Sequence, residues 1–132
     1  MMKGTKPHLR TDSAAMKRAP AVPKWLSADA KREWKRILPD LIERRILTDA
    51  DLGSLENYCI AIGQVREMER ILQTEGHVYG AESGLLKRHP AGVILSDAMT
   101  RARLLAVEMG LTPVSRSRPA IRDDDEEDSL LD

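Results

Sequence analysis

The 132 residues are 42% hydrophobic but include no Phe, two Trp and two Tyr. At most one small domain forms, with a core of Leu, Ile, Val, Met and Ala that suits helices better than sheets. The 21 basic and 21 acidic residues balance but are sorted along the chain: net +7 over residues 1–36, −3 over 37–95, +3 over 96–122 and −7 over 123–132. The lone Cys59 rules out an intrachain disulfide, and neither a signal-peptide pattern nor a membrane-length apolar run occurs, so a soluble cytosolic protein is expected.

Residues 1–24 carry three prolines, six basic residues and no sustained apolar period. They bury too little surface to offset their chain entropy and are expected to form a flexible basic arm. The folded body is expected over residues 25–118. It opens at Trp25-Leu26-Ser27, where Ser27 is placed to cap a helix and Ala30, Trp34, Ile37, Leu38, Leu41 and Ile42 share one stripe. Both tryptophans are expected to anchor the core. Pro39 lacks a backbone donor and crowds the carbonyl four residues earlier, which predicts a kink or break near Leu38.

The sharpest local signal is Thr48-Asp49-Ala50-Asp51. Thr48 and Asp51 have capping-box spacing, and Leu47 with Leu52 has that of a hydrophobic staple. Leu52, Leu55, Tyr58, Cys59, Ile62, Val65, Met68, Ile71 and Leu72 then recur at helical spacing up to Gly76. They predict a helix of about 25 residues and about 37 Å. Gly-punctuated residues 77–88 read as a short hairpin, with an ordered loop as the alternative. A last helix is expected from Pro90 or Ala91 to Met109, apolar along Val93, Ile94, Ala98, Ala102, Leu105, Ala106 and Met109. Gly110 stops it, Leu111 folds back onto its last turn, and Pro113 forbids continuation. The fold class is mainly α: a helical core with one long central helix, the hairpin, and flexible termini that include a disordered acidic tail over residues 119–132.

Catalytic signatures are missing from the sequence. It has no Gly-rich phosphate loop, no HExxH and no paired cysteines, and His8, His77 and His89 lie far apart. His89 before Pro90 reads as an ordered turn histidine. Asp49 and Asp51 fit the first turn of a helix, where acids complement the dipole, without a metal. No enzyme activity, cofactor or metal is expected.

Binding signals are stronger. Lys24, Lys31, Arg32, Lys35 and Arg36 give the first helix a basic side opposite its apolar stripe, and Arg116 and Arg118 follow the last helix among serines suited to phosphate contacts. Aromatic interleaving for base stacking is absent, so duplex DNA fits better than single strands.

The segments PKWLSADAKREWKRILPDL, LTDADLGSLENYCIA, KRHPA and MGLTPVSRSR, in that order over about residues 23–118, resemble the small subunit of phage terminases. The resemblance is to the tailed-phage branch whose fold ends in a Gly-Leu-Thr-Pro-x-Ser-Arg segment. It implies a non-catalytic protein of the bacterial host cytoplasm that marks the packaging start on double-stranded viral DNA. It also implies a homo-oligomeric ring of roughly eight to twelve subunits with closed symmetry, and recruitment of the large subunit that carries the ATPase and nuclease. In that setting Asp123, Asp124, Asp125, Glu126, Glu127, Leu130 and Leu131 are the expected docking residues for the large subunit. The alternative, a helix-turn-helix transcription regulator, requires a shorter second helix than the one expected after Thr48.

Overall fold

The computed structural model describes residues 14–113. Helix α1 runs Ala28–Glu43, a 3-10 turn at Asp49–Asp51 leads into α2 at Leu52–Glu75, strands β1 (Val78–Gly80) and β2 (Leu86–Arg88) pair antiparallel, and α3 spans Pro90–Glu108. The fold is therefore mainly helical with a long central helix and a hairpin, as the periodicity predicts. Helix α2, about 36 Å long at 1.5 Å per residue, packs against both α1 and α3.

Local chemistry sets most boundaries. Ser27 caps α1, its Oγ accepting from the Ala30 N–H at 3.2 Å. The Asp51 carboxylate accepts from the Thr48 N–H at 2.9 Å and from the Thr48 hydroxyl at 3.0 Å, so the predicted capping box nucleates the 3-10 turn that becomes α2. At the end of α3, Gly110 adopts φ +70 and donates to the Val107 carbonyl, while the Leu111 N–H reaches the Ala106 carbonyl. This is the predicted left-handed stop, and Leu111 packs against the core. Helix α1 ends by the same pair of bonds, Arg45 to Ile42 and Ile46 to Leu41, with Arg45 in the left-handed position at φ +55.

Three expectations are corrected. Helix α1 does not break near Leu38 but continues through Pro39 to Glu43. Ile37, Leu38 and Leu41 on both sides of Pro39 are buried together, and that burial outweighs the lost backbone bond, while the proline itself faces solvent. Trp25 is 64% exposed, and Leu26 with Trp34 fills the core instead. Along α3 the buried stripe is Ala91, Leu95, Ala98, Ala102 and Ala106, so Val93 and Ile94 lie outside it. The buried residues keep a spacing of three and four, and Val93 and Ile94 fall off that face because each residue turns the helix by about 100°.

The main core joins Leu26, Trp34, Leu41 and Leu47 to Leu55, Cys59 and the end of α3. A smaller cluster of Leu72, Ala91 and Leu95 sits under the hairpin end. Before α1, the Met16 N–H donates to the Leu47 carbonyl at 2.7 Å, and Met16 and Val22 lie against the main core. No helix among the described residues is long and apolar enough to cross a membrane.

Candidate nucleic-acid interface

Burial of Ala30, Trp34, Ile37, Leu38 and Leu41 fixes the rotation of α1 and turns Lys31, Arg32, Lys35 and Arg36 outward together. Lys24 is exposed just ahead of the helix. The structure thus brings four of the sequence-predicted basic residues to one side of α1. Arg116 and Arg118, and Asp123, Asp124, Asp125, Glu126, Glu127, Leu130 and Leu131, lie outside the described residues.

The five cations are not equivalent. Arg32 bonds Asp29 at 2.5 Å, and Arg70 from α2 grips the same carboxylate with both guanidinium nitrogens, at 2.5 and 3.1 Å. The Arg70 hydrogen bond is the main cause that holds the Asp29 carboxyl below its usual range. Arg36 forms a fork on Glu33, Nε to Oε1 at 2.8 Å and Nη2 to Oε2 at 2.6 Å. Lys24, Lys31 and Lys35 have no carboxylate partner among the described residues. Their charge remains available to an external anion.

Beneath this surface Glu33 is only 4% exposed, and Tyr58 donates to its Oε2 at 2.7 Å. Burial pushes the Glu33 carboxyl up, but the hydrogen bonds from Arg36 and Tyr58 and the charges of Arg36 and Arg66 outweigh it, and the net shift is downward. Burial, reinforced by Glu33, raises the Tyr58 hydroxyl. The Glu33 bonds raise Arg36 further above its ordinary value. Both groups keep their protons at any physiological pH.

Arg66 and Arg70 are the basic residues that sequence reasoning missed. They lie on α2, about 30 residues from α1, and only the α1 and α2 packing brings them beside Asp29 and Glu33. An R-x-x-x-R spacing on one helical face was the available signal.

Elsewhere the polar chemistry is structural. His89 caps α3, its Nδ1 accepting from the Ala91 N–H at 3.0 Å, which leaves Nε2 to face Glu75 Oε1 at 2.9 Å. Cys59 is fully buried, and burial pushes its thiol up to about 12, so it serves as core filling. Among the described residues no three His, Cys, Asp or Glu side chains group closely enough to hold a metal ion.

Residues 30–126 match the family model described as phage terminase, small subunit, a span of well over half the chain. No curated protein and no solved structure matches it.

Proposed function

The chain belongs to the phage terminase small-subunit family, whose role is in packaging viral DNA, and from that premise we propose that it is a non-catalytic, ring-forming protein that binds duplex viral DNA and recruits and regulates the large subunit in the host cytoplasm. The ring holds roughly eight to twelve subunits related by closed symmetry. Its DNA surface comprises the α1 side with Lys24, Lys31, Arg32, Lys35 and Arg36, joined by Arg116 and Arg118. The acidic residues from Asp123 to Glu127, with Leu130 and Leu131, are the docking element for the large subunit. Assignment to the branch that ends its fold in Gly-Leu-Thr-Pro-x-Ser-Arg belongs to the same proposal.

The observation that carries the DNA assignment is the row of lysines without carboxylate partners on the outer side of α1. A ring repeats that row in every subunit and so multiplies weak phosphate contacts into strong, salt-sensitive binding. The helix-turn-helix alternative is disfavoured by the 24 residues of α2, too long for the recognition helix of a trihelical unit.

The test is native mass spectrometry of the full chain, followed by duplex binding across a salt series. A mass of several subunits is expected. Affinity should fall by about 0.9 log units per log unit of salt for each neutralised phosphate. A monomer that binds duplex no better than a neutral protein of similar size refutes the proposal.

A further inference from the structure

Ten large apolar side chains are exposed among the described residues, and nine of them lie in two places. Val78, Tyr79, Leu85 and Leu86 cover the hairpin, where Leu86 is 75% exposed. Val93, Ile94, Met99, Leu104 and Val107 lie on α3. Between α2 and α3 runs an open groove of about 570 Å³, with Ile60, Ala61, Leu104 and Leu105 among its apolar lining and Gln64, Arg101 and Glu108 as polar members. One exposed feature is a projection and the other a trough.

The hairpin cannot fill the groove of its own chain. From Gly76 back to Ala61 is about 22 Å along α2 at 1.5 Å per residue, whereas the strand from His77 to Ala81 reaches only about 13 Å. A second copy of the chain meets no such restriction.

Charge spacing selects that occupant. Arg101 and Glu108 lie two turns apart on one face of α3, a separation of about 10 Å. On the hairpin, Glu82 at the turn and Lys87, paired with Tyr79, are also about 10 Å apart along the strands. Seated with its turn towards Arg101, the hairpin sets Glu82 against Arg101 and Lys87 against Glu108, with Leu85, two residues from Lys87 and so on the same face, over the apolar floor. The opposite orientation places like charges together and is disfavoured.

We infer that the β1–β2 hairpin of one copy docks in the α2–α3 groove of the next, a head-to-tail contact that uses two different surfaces of each subunit. Such a contact closes into a ring when its rotation permits. The inference rests on the ring assignment made above and names the surfaces that build it.

The test uses two full-length variants, Leu85→Glu and Leu104→Glu. Both leucines are at least half exposed, so each variant should keep the helical circular-dichroism spectrum of the parent. Native mass spectrometry should find each variant alone reduced to monomer, and an equal mixture restored to a 1:1 dimer. In the mixture, only the intact hairpin of Leu104→Glu and the intact groove of Leu85→Glu can meet, so assembly stops at two. Variants that remain full-sized rings, or folded monomers whose mixture does not pair, overturn the head-to-tail contact. If Leu104→Glu keeps its ring but loses the large subunit, the groove belongs to that partner and the inference fails. A wild-type chain that is itself monomeric refutes the ring assignment instead.

Discussion

Tyr58 of α2 donates its phenolic proton to the buried Glu33 of α1 at 2.7 Å. Together with the Arg36 fork it satisfies a carboxylate that the core would otherwise expel. The pair locks the two helices in register at the point where the basic side of α1 begins.

Tyr58→Phe should therefore destabilise the fold by about 1–3 kcal/mol, since a buried charged acceptor loses one donor. The Glu33 carboxyl is depressed in the folded state below its ordinary value of 4.5. Its contribution to stability is complete above that value and is lost as pH falls through the depressed folded value. Without Tyr58 the folded value rises, so acid unfolding should begin at higher pH. Urea titrations followed by circular dichroism, at neutral pH and across the carboxylate range, measure both effects.

Gly63 lies where α1 crosses α2. A Cβ built there would stand 3.1 Å from Ser27 Oγ and 3.2 Å from the Ala30 backbone nitrogen, the two atoms of the α1 cap. Gly63→Val should cost about 1–3 kcal/mol through overpacking. Gly53 in the same helix has nothing within 4 Å of such a Cβ, and Gly53→Ala should stabilise by about 0.4–1 kcal/mol. Thermal melts of the two variants should shift in opposite directions.

The ion pairs divide the basic side into unequal halves. Neutralising Lys31 and Lys35 to Gln should weaken duplex binding and flatten its salt dependence by about 0.9 for each phosphate that is no longer neutralised. Neutralising Arg32 and Arg36 should do less to binding, because Asp29 and Glu33 already offset their charge. It should cost more stability, because Glu33 is left buried with fewer donors. Fluorescence anisotropy over a salt series separates the two pairs. Equal reductions in affinity would show that the carboxylates do not shield the arginines.

Seven acidic residues follow Arg122, and Asp123 stands five residues beyond Arg118. Opposite charges tethered so closely have high effective concentration. A chain cut after Arg122 should bind duplex more tightly at low ionic strength, where screening is weak. It should lose the large subunit and keep its assembled mass. Unchanged duplex affinity would leave the acidic segment as a docking peptide alone.

The starts of α1 and α2 and the end of α3 were legible in the order of residues alone. Ser27, Thr48 with Asp51, and Gly110 with Leu111 act on backbone groups within three to five residues, so their effects are written in the local succession of side chains. With Gly76 and Pro90 those signals also bound α2 and α3, and the outward placement of Lys31 and Lys35 needs only the opposite apolar stripe. Features that depend on two surfaces meeting arose only in the packed molecule. Burial on both sides of Pro39 carried α1 through a residue that breaks isolated helices. The close approach of α3 to α2 placed small Ala91, Ala98, Ala102 and Ala106 inward and left Val93 and Ile94 outside. The crossing at Gly63 brings α2 against the α1 cap, the bond from Tyr58 to Glu33 joins residues 25 positions apart, and the reach of Arg70 to Asp29 spans 41. No periodicity encodes such pairs, because each depends on how far one helix is rotated and shifted against another, and that is set by the packing of the whole core.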